Sequence, residues 1–343
     1  MKQSGFWVVV LFAMASLVAS SGAIALDSSG RLVVTGFGGI WKESIEKNFI
    51  SCFKERTGTD AVVQLGESAD WLNRIRANPN KPPIDVVTLA QADNIRAVKE
   101  GLLEPLDMTK LPNIKDIPPV HYKIWDNKAV DIHIGALGVM YNKEAIPTPP
   151  KDWKTLFDNI AAGKYGKRVS IPSGTYTWGP DFLWFIAQLY DGKIDTAFAK
   201  VKAMEPYVTK FWTGPVEALN LFGAKEVDLV VYWDGRAHAF IEKGNPWAGY
   251  YNPAPRSLGV TVSVAKVKNS SEMAWSYIDC AISARAQLGH AKTLGYAITN
   301  KTVVYPPDLK QKISDVDQMV FLPYGDYIDQ FPGWIERWNR EIR

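Results

Sequence analysis

Two short apolar runs punctuate the chain. One extends from Ile132 to Asn142, carries Gly135 and Gly138, and ends in Tyr141-Asn142; the other extends from Leu258 to Ala265. Runs this short and this apolar bury as strands more readily than as amphipathic helices. Their glycines suit close backbone approach or a change of direction. Two buried crossings so far apart predict two lobes joined by hinge strands. Before the first crossing, Arg31 to Thr35 reads as a β-branched strand, followed by Gly36-Phe37-Gly38-Gly39. Ile40, Trp41, Ile45, Phe49 and Phe53 then recur at helical spacing, and Thr57-Gly58 stops the helix. Asp60 to Leu65 and Ile84 to Leu89 repeat the strand pattern, each followed by a helix. Such strand–loop–helix units predict a parallel α/β sheet, whose ligands sit at the carboxyl ends of the strands.

The rhythm resumes after the first crossing. Helical spacing covers Trp153 to Ile160, Asp181 to Tyr190 and Asp195 to Met204, with strands at Arg168 to Pro172 and Val227 to Trp233. Glu272 to Ala291 reads as one long helix, and the Tyr- and Trp-rich tail from Leu322 as a helix packed across a lobe. The predicted class is α/β and two-lobed, each lobe a mixed sheet flanked by helices. Lobe one takes residues 26–135 and 260–303, and lobe two residues 136–259 and 304–343.

Charge and composition narrow the function. With 22% charged residues and a net charge of +3, the chain lacks the basic stripe that nucleic-acid binding requires. Lys2, an apolar run from Phe6 to Ala19 and the small-x-small site Ala23-Ile24-Ala25 predict a secretory signal over residues 1–25. Export permits a disulfide between Cys52 and Cys280. Whether the helices carrying them meet is a tertiary question, so a bond and two inert thiols both stay open. The chain has no P-loop, no H-E-x-x-H and no G-x-S-x-G. His121, His133, His238 and His290 are scattered without metal-ligand spacing and read as surface or core side chains. Gly36-Phe37-Gly38-Gly39 begins like a dinucleotide fingerprint, but Trp41 stands where the third glycine belongs. Neither a cofactor nor catalysis is expected.

Several segments resemble the extracellular solute-binding proteins of ABC importers, in their spermidine/putrescine-type branch. Gly101 to Asp107 reads GLLEPLD, as that branch does, and Gly135 to Asn142 resembles its GTTGIGYN crossing. Trp233 to Ala237 resembles WNGSA, and Gly295-Tyr296 to Asn300 resembles GYPTPN. These matches keep their order from about residue 31 to 300, and that order, more than any one of them, carries the resemblance. It implies a type II periplasmic binding fold, a small-molecule ligand in the interlobe cleft, a monomer, and delivery to a permease in the inner membrane.

Carried over residue by residue, the resemblance implies a site on the loops after the strands. Its candidates are Phe37, Gly38 and Gly39 after the first strand, and Glu67 and Gln91 after the second and third. In lobe two they are Thr175, Tyr176 and Trp178, then Trp233 and Asp234. Aromatic walls suit apolar or cationic ligand parts. The chain departs from the branch where Arg256-Ser257-Leu258-Gly259 replaces the acid-bearing WMDS, and where Gly174-Thr175-Tyr176 replaces an acidic pair. A dication needs carboxylates in place of its hydration, whereas Arg256 offers a bidentate partner for a carboxylate or phosphonate. The expected solute is therefore a nitrogen-containing zwitterion or anion rather than a polyamine. Three rivals remain: a ferric-ion receptor using Tyr250 and Tyr251, an exported hydrolase using Glu67 and Asp234, and an envelope protein with no cleft ligand.

Overall fold

The computed structural model describes residues 30–342, so the leader assigned to residues 1–25 lies outside the described part. Its strands run in chain order as β1 (Leu32–Gly36), β2 (Ala61–Leu65), β3 (Val86–Ala90) and the long β4 (Val130–Asn142). They continue as β5 (Val169–Pro172), β6 (Val208–Trp212), β7 (Leu229–Trp233), β8 (Ala248–Tyr251) and β9 (Ser257–Lys266). Two short strands, β10 (Ala297–Ile298) and β11 (Met319–Val320), close the set. Across the sheet the order is β2-β1-β3-β9-β4-β7-β5-β6. On one side β1, β2 and β3 are mutually parallel, and on the other so are β5, β6 and β7. Each parallel set abuts an antiparallel partner, β9 against β3 and β4 against β7, so each side is a mixed sheet. β1, β3 and β7 are buried along their whole length, as strands covered on both faces by helices must be.

Both apolar runs lie at the centre of this order. β4 pairs antiparallel with β9 from Val130↔Val264 to Leu137↔Leu258. The first half of β4 also pairs with β10, and the second half with β7 and β8. A strand serving both sides is buried on both faces, which explains why its sequence does not alternate. A third passage between the sides comes from the tail. β11 pairs with Ser257 and Leu258 of β9, while Met319 packs with Ile134, Ala136 and Ala297. Beyond it, helix Phe331–Glu341 buries Phe331, Trp334 and Trp338, and Trp338 meets Phe211 edge-on at 5.1 Å.

One predicted element is divided. The segment read as a single helix over Glu272 to Ala291 forms helices Ala274–Ala281 and Ala284–Leu294. Ser283 adopts extended backbone between them, and its hydroxyl accepts the Ala286 N–H at 3.3 Å. That cap starts a new helix, while apolar positions keep helical spacing across the break. Cys280 in the first of these helices is bonded to Cys52 in helix Ser51–Thr57, with an S–S distance of 2.02 Å. Among the described residues no helix is long and apolar enough to cross a membrane.

Candidate functional site

The carboxyl ends of β1, β5 and β7 converge on the central strands, and aromatic side chains fill the space between them. Phe37 follows β1, Tyr176 and Trp178 follow β5, and Trp233 ends β7; each is at most 6% exposed. Trp178 joins the two sides, with its ring 5.7 Å from Phe37 and 5.5 Å from Trp233. The Trp233 indole donates to the Tyr176 hydroxyl at 3.3 Å. Burial raises the Tyr176 phenol well above its ordinary pKa, so it stays neutral. These rings share a residual cavity of about 20 Å³ with Trp41, His133, Arg236 and Tyr296, room for about one water.

Arg236 is the charged group on this cavity. It sits in the first turn of helix Asp234–Glu242, where a cation is disfavoured by the helix dipole, and is 4% exposed. Its Nη1 donates to the Gly38 carbonyl at 3.2 Å, and the guanidinium interacts with the Tyr296 phenol. Among the described residues no carboxylate pairs with it, although Glu67 feels its charge from further off. Gly39, next to this contact, has φ +67°, a conformation that costs glycine nothing, and an added Cβ would stand 3.6 Å from the arginine's Nη1.

Further bonds tie the two sides of the sheet beside the cavity. Thr177 donates to Glu67 Oε2 at 2.7 Å; burial lifts the Glu67 carboxyl to about 6 despite that bond and the pull of Arg236. The Tyr324 hydroxyl reaches Gln91 Oε1 at 3.1 Å and also donates to Asp181. Burial lifts the Asp181 carboxyl to about 7. Lys243 pairs with Glu43 at 3.3 Å on the surface.

The expected site residues thus separate. Phe37, Tyr176, Trp178 and Trp233 line the cavity, and Gly38 and Gly39 stand against Arg236. Glu67 and Gln91 hold the sides together without lining the cavity, Gln91 as the first residue of its helix. Asp234 is fully buried, and its Oδ1 accepts the backbone N–H groups of Ala136 at 3.1 Å and Gly235 at 2.8 Å. It fastens the helix to β4, and burial raises its carboxyl to about 7. Thr175 is exposed and bonded to Ser173 at 2.8 Å. Arg256 is exposed on the segment before β9, where its carbonyl accepts the Trp153 indole N–H at 3.1 Å, and it does not line the cavity. Tyr250 and Tyr251 are adjacent on β8, so their side chains leave on opposite faces. Tyr250 bonds Asn252 at 2.7 Å, while Tyr251 packs on Tyr141.

Sequence reading missed Arg236, His133 and Tyr296. The anomaly of an arginine in a helix's first turn was legible and pointed to the first. The other two become visible only when β4 and the turn before β10 meet.

The family model described as bacterial extracellular solute-binding protein matches residues 48–314. The thiamine-binding periplasmic protein of Brucella melitensis biotype 1 is 29% identical over 213 residues, 60% of each chain; this chain therefore spans 60% of that relative's length. An ABC transporter substrate-binding protein from Bradyrhizobium japonicum USDA 110 superposes with TM-score 0.77 at 18% identity, over 91% of this chain and 99% of that one. The PBP MotA from A. tumefaciens B6 in complex with glucopine gives 0.76 at 18% identity, over 90% and 99%. At such identities the structural likeness establishes the fold, that of two-lobed periplasmic binding proteins. With the family model covering most of the sequence, the chain belongs to the bacterial extracellular solute-binding proteins.

Proposed function

We propose that this chain is the solute-binding component of an ABC importer, exported to the periplasm by a signal over residues 1–25 that is cleaved after Ala25. It captures a small nitrogen-containing solute that carries an acidic group and passes it to a membrane permease. The observation that carries this reading is Arg236, buried on an aromatic cavity and paired with no carboxylate among the described residues. A buried guanidinium without a countercharge is costly, and a ligand carboxylate or phosphonate supplies one in bidentate geometry. The aromatic faces of Trp178 and Trp233 suit the apolar or ammonium part of such a solute.

The lobes divide at β4 and β9, as residues 26–135 with 260–303 and 136–259 with 304–343, the tail adding the third passage. A cavity of about 20 Å³ is far below the roughly 300–1,000 Å³ of small-molecule pockets, so the lobes part to admit the solute. The Glu67–Thr177 and Arg236–Gly38 contacts break on opening and favour the closed form afterwards.

Thiamine is a second reading, supported by the likeness to the thiamine-binding periplasmic protein of Brucella and by the aromatic wall. Arg236 weighs against this cation. Thermal stability of ligand-stripped protein against a panel tests both readings. The panel holds amino acids, opine conjugates, aminophosphonates, thiamine and polyamines. A solute at 100 times its Kd adds about 2.7 kcal/mol. An acid-bearing hit supports the first reading, a thiamine hit the second, and a polyamine hit alone refutes both.

A further inference from the structure

The interior holds a hydrogen-bonded chain that ends on the cavity. Ser44 Oγ lies 2.8 Å from His290 Nδ1, and His290 Nε2 lies 2.9 Å from His133 Nδ1. All three side chains are at most 3% exposed. The two imidazoles are inclined by only 19° with centroids 5.1 Å apart, so they meet edge to edge in one plane, as an N–H···N bond requires. His133 forms part of the cavity wall, and its Nε2 bonds to no described residue.

A break in register aims it there. Asp131 is opposite Ser263 and His133 opposite Val262, so Ile132 is bulged out of the pairing. Without the bulge, Asp131 and His133 would share a face. With it, Asp131 faces away and accepts from Ser263 Oγ at 2.7 Å, while His133 joins Val262 and Val260 on the cavity side. Bulges re-aim side chains in this manner beside functional sites.

The donors and acceptors around the chain favour one pair of tautomers. The Asn48 side-chain amide donates to Ser44 Oγ at 3.1 Å, and Gly289 leaves it room, since a Cβ there would come within 2.1 Å of Asn48 Oδ1. The Ser44 hydroxyl hydrogen has one acceptor among the described residues, His290 Nδ1. The arrangement that leaves no donor sealed in the core has His290 carrying its hydrogen on Nε2 and donating it to His133 Nδ1, with the His133 hydrogen on Nε2 at the cavity. Burial keeps both rings neutral: His290 is lowered to about 3 and His133 well below its ordinary value, with His290 and Arg236 adding to the effect.

We infer that His133 is a ligand-recognition residue, presenting an Nε2–H donor to an acceptor oxygen of the solute, and that Ser44 acting through His290 is the positioning device that holds this tautomer. The inference rests on the receptor reading above and deepens it: Arg236 and His133 together form a two-donor seat for a carboxylate or phosphonate.

The test has two arms. In protein labelled with 15N at the histidine side chains, long-range 1H–15N spectra at neutral pH should show His133 and His290 both protonated at Nε2. Ser44→Ala should shift both toward Nδ1, and Ser44→Thr, which keeps the hydroxyl, should not. A His133 proton on Nδ1, or unchanged tautomers in Ser44→Ala, would overturn the relay. In the second arm, benzoate and 4-aminobutyrate are compared with benzylamine and putrescine by calorimetry. Wild-type protein should favour the acids, and His133→Phe, which keeps the ring packing, should weaken them about tenfold. Wild-type affinity for the acids in His133→Phe would overturn the recognition role. Binding of the amines alone would sink the inference together with the receptor's acid-bearing solute. Binding of none of the four would overturn the two-donor seat for a simple carboxylate, while the spectra still decide the relay.

Discussion

Replacing Arg236 with methionine should weaken binding and leave the unliganded fold no less stable. The guanidinium is 4% exposed where the two sides meet, with the Gly38 carbonyl at 3.2 Å and the Tyr296 phenol as its neighbours. Taking an ion out of water costs several kcal/mol even after relaxation, and hydrogen bonds from a charged group each return about 1.5–3 kcal/mol. On the proposed function, closing without a countercharge is therefore near balance or unfavourable, and a solute carboxylate would tip it. One lost charge-assisted bond of about 1.5–3 kcal/mol corresponds to roughly 10- to 150-fold in Kd. Arg236→Met should show that loss in calorimetry with the strongest acid-bearing solute of the panel. In its absence, Tm should stay level or rise, because closing no longer buries a bare cation, and small-angle scattering should show an equal or smaller radius of gyration. Wild-type affinity in the variant would refute the reasoning. So would a fall of several degrees in unliganded Tm, which would make Arg236 a structural hydrogen-bond hub.

Three further outcomes follow from the packing and the charges. Glu67 has a folded pKa of about 6 against 4.5 for the free group, so the folded state holds the extra proton between those values. Stability of the closed form should thus fall by about 2 kcal/mol as pH rises from 4.5 to above 6, and Glu67→Gln, which can still accept from Thr177, should flatten that part of the profile of unfolding free energy against pH. Cys52→Ala with Cys280→Ala opens a loop with a sequence separation of 228 and should cost about 2–5 kcal/mol in denaturant titration. An unchanged midpoint would remove the bond from the account of stability. A Cβ at Gly235 would meet the Leu294 carbonyl oxygen at 2.2 Å, so Gly235→Ala should cost at least about 1–3 kcal/mol, and a wild-type midpoint would contradict this close approach.

The strand and helix alternation, the two apolar crossings and the rings at the strand ends were legible in the residue pattern. Those features are local. Strand burial on both faces leaves an unbroken apolar run, as at Ile132 to Asn142, and a ring at the end of a strand falls where an α/β sheet places its ligand, as Trp233 does. Tertiary structure decided which charges reach the cavity. Arg256 and Arg236 are both arginines on segments flanking predicted strands, and only packing shows one in solvent and the other sealed against Gly38. Glu67 and Gln91 lie at the right ends of the right strands, yet Thr177 and Tyr324 occupy them. The Cys52–Cys280 bond likewise needed two helices far apart in sequence to meet. The Ser44–His290–His133 chain is the extreme case. Its members come from three elements spread over most of the chain, and a one-residue bulge decides the face to which His133 points. No local pattern encodes such a meeting, because hydrogen bonds across that separation depend on how whole elements pack rather than on the spacing within any one of them.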